Sequence, residues 1–168
     1  MKYTFPILLL LAACQTTKNF DATAATNNIH QVIDDWHKAA ADADFDAYFG
    51  AMSEGAIFIG TDATENWTKE EFAAFCRPYF DKGKAWSFTP FDRHIYFSVS
   101  GQTAWFDELL ETWMGTCIGS GVLERKGDEW TIEHYVLSVK IPNESVQDVI
   151  EVKAAQDSLF LNRYEREN

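Results

Sequence analysis

From residue 86 to residue 141 the chain alternates apolar and polar residues with period two through four consecutive segments, 86–100, 103–114, 116–126 and 129–141. The joints between them, "SGQ", "GT" and "KGDE", suit tight hairpins. Strands joined that closely pair antiparallel, and an antiparallel sheet of this kind has one face to bury. What precedes them is helical. Ile29, Val32, Ile33, Trp36 and Ala40 recur at helical spacing over 28–42, with Asn27 or Asn28 as cap, and 44–52 continues as a second short helix. Ala56 to Ile59 reads as a short strand, and "GTDATENW" as a turn-rich loop. Thr68 and Glu71 form a capping box that opens a helix running to about Asp81, where Gly83 stops it. Residues 143–160 pattern as a last amphipathic helix. Helices segregated from an antiparallel sheet specify an α+β fold.

At 168 residues the chain accommodates one domain with a sizeable core. Its formal charge of −12 argues against nucleic acid and against binding to anionic lipid, which both reward clustered Lys and Arg. Ahead of the domain, Lys2 and the apolar run "FPILLLLAA" have the form of an export signal, too short to span a bilayer as a helix. The tetrapeptide Leu11-Ala12-Ala13-Cys14 resembles the bacterial lipobox, in which cleavage precedes a cysteine that becomes lipidated. The expected organisation is a signal over 1–13, a lipidated Cys14 with a flexible tether over 14–26, a domain over 27–143, and a C-terminal helix and tail over 144–168. That places the protein in the cell envelope, facing the periplasm. Gln15 after the cysteine implies passage to the outer membrane in a Gram-negative host.

The element order, together with "FIGTDATENWTKEEFAAFCRPYF", "DRHIYFS", "TAWFDELLE" and "GSGVLERKGDEWTIEHYVLSVKIPN", resembles the SnoaL-like family of the nuclear transport factor 2-like, cystatin-type α+β roll superfamily. The resemblance covers about 28–143. It implies a curved sheet wrapped over helices with a conical pocket between them, and a superfamily of isomerases, cyclases, dehydratases and binding modules. It also implies pairing of sheets into a homodimer through the convex face, with Glu133, Tyr135, Leu137 and Val139 at that surface.

The pocket is where the sequence raises its sharpest question. "WFDELLET", 105–112, carries three carboxylates, and strict alternation sends Asp107 and Glu108 to opposite faces. Both faces also carry apolar residues, so parity leaves open which acid turns inward. In the last strand Trp130, Ile132, His134, Val136 and Ser138 share one face, and the resemblance makes it the concave one, placing His134 in the pocket. Phe91, Arg93, Ile95, Phe97 and Val99 alternate together, so Arg93 shares that interior. A carboxylate in a ring-lined pocket has its charged form disfavoured, which suits proton transfer. The candidate catalytic set is therefore Asp107 or Glu108 with His134. Tyr48, Arg93 and Trp105 are the candidates for ligand contact, the two rings because each joins an apolar body to a polar atom.

Other constellations are weaker. His30, Asp34 and His37 share a face of the first helix, but a spacing of seven positions between the histidines is too wide for the close-set pair that metals take, and no metal or cofactor is expected. "GSG" at 119–121 provides neither a phosphate loop nor a nucleophile elbow. Cys76 and Cys117 could pair in an oxidising compartment, but the apolar register of Cys76 favours buried free thiols. Three functions fit these residues: an anchored module binding a small apolar or aromatic molecule, an acid–base enzyme (isomerase, dehydratase or hydrolase), and an interaction module with a vestigial pocket.

Overall fold

The computed structural model of the protein describes residues 20–167. The export signal and Cys14 lie outside the described residues. The elements are α1 (Ala22–Ala41), α2 (Phe45–Gly50), β1 (Met52–Ile59), β2 (Asn66–Thr68), α3 (Lys69–Phe80), β3 (Thr89–Phe97), β4 (Thr103–Thr112), β5 (Gly115–Lys126), β6 (Glu129–Val139), a short 3-10 turn at Asn143–Ser145, and α4 (Val146–Glu167). The six strands form one curved sheet in the order β2-β1-β6-β5-β4-β3. Every neighbouring pair is antiparallel except β1 with β6. This is the α+β roll, with β2 added where the sequence pattern indicated only a loop.

α1 explains why the roll closes on one side. Its stripe Ile29, Ile33, Trp36 and Ala40 is buried against the concave face of the sheet, where the Trp36 ring meets Tyr135 edge-on at 4.7 Å. The helix starts earlier than its apolar periodicity suggested. Asp21 caps it by accepting from the Ala24 N–H at 3.0 Å, and Phe20 packs edge-on against Phe97 at 5.1 Å. The tether expected to reach residue 26 is therefore helix from Ala22. At α3 the capping box of Thr68 and Glu71 is present on both sides.

Two bulges overturn the strand parity read from the sequence. In β6 the register slips between Ile132 and His134, opposite Val122 and Leu123, and β1 is irregular between Met52 and Ile57 alongside. The extruded Glu133 accepts hydrogen bonds from the Ser53 and Thr131 hydroxyls, which gives the bulge its partners. Beyond it, Tyr135 and Leu137 turn inward and are buried, while His134 is half-buried on the opposite, outer face. His134 is thus outside the pocket, and the expected dimer row of Tyr135 and Leu137 is core. In β3 a second slip between Phe91 and His94 centres on Asp92, whose φ is 49°. It puts Phe91 on the outer face and leaves Arg93, Ile95 and Phe97 inside.

Candidate functional site

β4 answers the question posed by its three acids. Ala104, Phe106, Glu108 and Leu110 all point inward and are buried, Glu108 to 1% exposure. Asp107 points outward, where its carboxylate meets His94 Nδ1 at 3.0 Å. That contact raises the His94 pKa above its ordinary value, the hydrogen bond to Asp107 being the largest cause.

A buried carboxylate requires compensation, and Glu108 has it on both oxygens. Arg93 Nε donates to Oε2 at 2.7 Å, with Arg93 Nη2 at the same distance. His37 Nε2 lies 2.6 Å from Oε1. Arg93 continues outward: Nη2 is 2.8 Å from Asp34, and Nη1 is 3.3 Å from both the Nδ1 and the carbonyl oxygen of His30. The face of α1 carrying His30, Asp34 and His37 is therefore organised around a guanidinium and a carboxylate from the sheet. The cation at its centre belongs to Arg93.

Space for the carboxylate comes from β5. A side chain on Gly119 would place its Cβ 2.2 Å from the Tyr135 hydroxyl and 3.3 Å from Glu108 Oε1. The "GSG" stretch is thus a gap in the sheet's inner surface, over which Tyr135 and Glu108 fold. Burial, with the Glu108 charge second, pushes the Tyr135 phenol well above its usual pKa.

Between the helices and the sheet lies a cavity of about 280 Å³. Its inner wall is formed by Trp36, His37, Tyr48, Phe58, Tyr135 and Leu137, and its mouth by residues of the 60–67 segment, α3, the 85–88 segment and the β4–β5 turn. His37 is the link between cavity and buried charge. It lines the space and holds Glu108 through Nε2, and no described group bonds its Nδ1. Tyr48 stacks on Trp36 at 4.8 Å, and burial drives its phenol well above the usual pKa, with a hydrogen bond to Trp86 opposing. Cys76 and Cys117 are free and buried; burial alone pushes the Cys76 thiol up to about 12.

The candidates from the sequence separate accordingly. The structure brings Glu108 and Arg93 together and puts Tyr48 in the cavity wall. It leaves Asp107 and His134 on the outer face, so neither reaches the cavity. Trp105 is also outside, 45% exposed and stacked on Tyr96 at 6.0 Å, because it alternates against the inward Ala104 and Phe106. The residue that parity missed is His37. Its signal was the polar row His30, Asp34, His37 beside the apolar stripe of the first helix, which was weighed only as a metal site.

A family model described as a SnoaL-like domain matches residues 29–142. The chain belongs to the SnoaL-like family. No protein of curated function matches this SnoaL-like chain. Among solved structures, a protein of unknown function described as NTF2-like, from Pseudomonas putida KT2440, superposes with a TM-score of 0.61 at 16% identity, covering 74% of this chain and 92% of that one. A protein from Streptomyces avermitilis, provisionally described as a dehydratase of the NTF2-like family, gives 0.60 at 13% identity, covering 73% and 100%. The association domain of CaMKII from C. elegans gives 0.57 at 18% identity, covering 70% and 97%. At these identities the likeness is one of fold.

Proposed function

We propose that this SnoaL-like domain takes a small ring-bearing molecule into its cavity and moves a proton on it with His37. The observation that carries the reading is His37 in the cavity wall with its Nε2 held at 2.6 Å by a buried carboxylate. Because the Glu108 carboxylate, clamped by Arg93, accepts from Nε2–H, the imidazole keeps Nδ1 as the basic nitrogen. As Nδ1 takes a proton, Glu108 stabilises the imidazolium, a division of labour that recurs wherever a carboxylate orients a catalytic histidine. The ring-rich wall lowers the local dielectric and so strengthens both interactions. An open cavity weighs against a vestigial pocket, and the inward acid–base pair goes beyond a passive binding module.

Since the natural substrate is unidentified, a generic proton-abstraction probe serves as the test. Nitrobenzisoxazole opens to a coloured cyanophenolate once a base removes its ring proton. The wild type should accelerate this opening, and His37→Ala should lose about a hundredfold, the lower end of what a positioned base contributes. Equal rates in both proteins would refute a role for His37 as base.

Anchoring through Cys14 at the envelope is part of the same proposal, supported by the apolar run and the Leu11-Ala12-Ala13-Cys14 tetrapeptide. Cys14→Ser should move the protein from the membrane fraction to the soluble one; a variant that stays membrane-bound overturns the anchor. Homodimerisation through the outer sheet face is likewise proposed, now with Tyr96 and Trp105 in place of the buried Tyr135 and Leu137.

A further inference from the structure

The mouth of the cavity carries a feature that proton transfer does not explain. Six rings surround it: Trp67, Phe75, Tyr79, Trp86, Phe88 and Trp113. Three of them are uncovered: Phe75 is 44%, Tyr79 45% and Trp113 81% exposed. Trp67 stacks on Phe75 at 4.7 Å, and Phe75 lies 5.6 Å from Tyr79, so the rings form a continuous aromatic surface leading inward. Exposed apolar surface gathered at a cavity entrance marks a binding surface.

Among these rings sits one carboxylate. Glu65 lines the mouth and is half-buried. The 60–65 turn holds it there: the Asp62 N–H donates to Glu65 Oε2 at 3.1 Å, and the Gly60 N–H donates to the Glu65 carbonyl at 2.9 Å. Oε2 lies so close over Gly60 that a Cβ at that position would come within 2.1 Å of it. The side chain is folded over the end of β1 and onto the cavity, where a freely solvated carboxylate would extend into water. Among the described residues, no Lys or Arg contributes to the lining. The mouth therefore has negative potential from three sources: the π faces, Glu65, and a chain of formal charge −12.

We infer that this mouth receives the ammonium group of a small organic cation whose ring or alkyl body enters the cavity. Rings around a carboxylate form the arrangement that holds quaternary and alkylated ammonium groups, because such cations are weakly hydrated and gain from the ring quadrupoles. An anionic ligand would meet repulsion from Glu65 with no Lys or Arg in the lining to offset it. A neutral ring would gain the apolar contact alone. The inference deepens the proposed function by naming its substrate class. It rests on the cavity being the ligand site and does not depend on His37 acting as a base.

The experiment is calorimetric titration of the protein with three probes of similar size: meta-hydroxyphenyltrimethylammonium, its neutral isostere meta-tert-butylphenol, and the anion meta-hydroxybenzoate. The cation should bind at least about tenfold more tightly than the phenol, and the benzoate more weakly than either. Glu65→Gln should lower cation affinity about tenfold and leave the phenol unchanged, with melting by circular dichroism verifying that the variant is folded. Equal binding of cation and phenol overturns the cation inference and leaves the cavity standing as a site. Binding of none of the three overturns both.

Discussion

Glu108 is a residue whose stability cost and functional value can be measured separately. Its carboxylate is buried between Arg93 and His37. Removing one partner of such a buried pair leaves an uncompensated charge and costs about 3–5 kcal/mol, whereas replacing both by apolar residues of similar volume is often neutral or stabilising. Glu108→Leu alone should therefore lower stability by about 3 kcal/mol in urea unfolding. The double variant Arg93→Met with Glu108→Leu should regain most of that loss and still fail to open nitrobenzisoxazole faster than His37→Ala. A double variant with wild-type rate would show that Glu108 has no part in orienting His37. The exposed partner acid behaves differently. Asp107 raises the His94 pKa, so protonated His94 is favoured in the folded state. Its contribution to stability is fully present below the unfolded value of about 6.5 and is lost as pH rises through the higher folded value. In an NMR titration Asp107→Asn should bring the His94 midpoint down. An unchanged midpoint would mean that the contact does not persist in solution.

At the scale of elements, the hairpin rhythm of the second half and the capping box of α3 were legible because each is local: period-two alternation, turn residues and a four-residue cap announce themselves in sequence. Bulges do not, and here they decided the site. One residue extruded at Glu133 moves His134 out and Tyr135 in, and one at Asp92 moves Phe91 out while Arg93 stays in. His37 was hidden for a different reason. Helical spacing showed that it shares a face with His30 and Asp34, but which strand that face meets depends on the wrap of the sheet. Gly119 in β5 is legible only after the fact, as the absence that admits Tyr135 and Glu108. Gly119→Ala would set a Cβ 2.2 Å from the Tyr135 hydroxyl, at the end of a ring already stacked near Phe58 and edge-on to Trp36. Such overpacking should cost about 1–3 kcal/mol in denaturant unfolding. Stability within a few tenths of wild type would mean that Tyr135 has room to swing and that the cavity wall is softer than the packing implies.

For the whole molecule, the question is what covers the convex side. The inner face of the sheet is occupied by α1 and by the cavity wall, while the outer face presents the Tyr96–Trp105 stack, with both rings 45% exposed. α4 runs elsewhere, sharing a groove with residues 61–64 through Lys153, Gln156, Phe160 and Arg163. Rings stacked on an open sheet face are energetically better used between subunits than in water, and a two-fold pairing makes one patch serve both copies. The protein should therefore sediment as a dimer at micromolar concentration. Trp105→Glu places a charge at the centre of that patch without touching the core, since the side chain points away from Phe106 and Glu108. It should yield a folded monomer that still opens nitrobenzisoxazole, because His37, Glu108 and the cavity lie on the other side of the sheet. A wild-type monomer would remove the dimer. A Trp105→Glu monomer without activity would mean that the cavity depends on the second subunit, joining two surfaces that the single chain keeps apart.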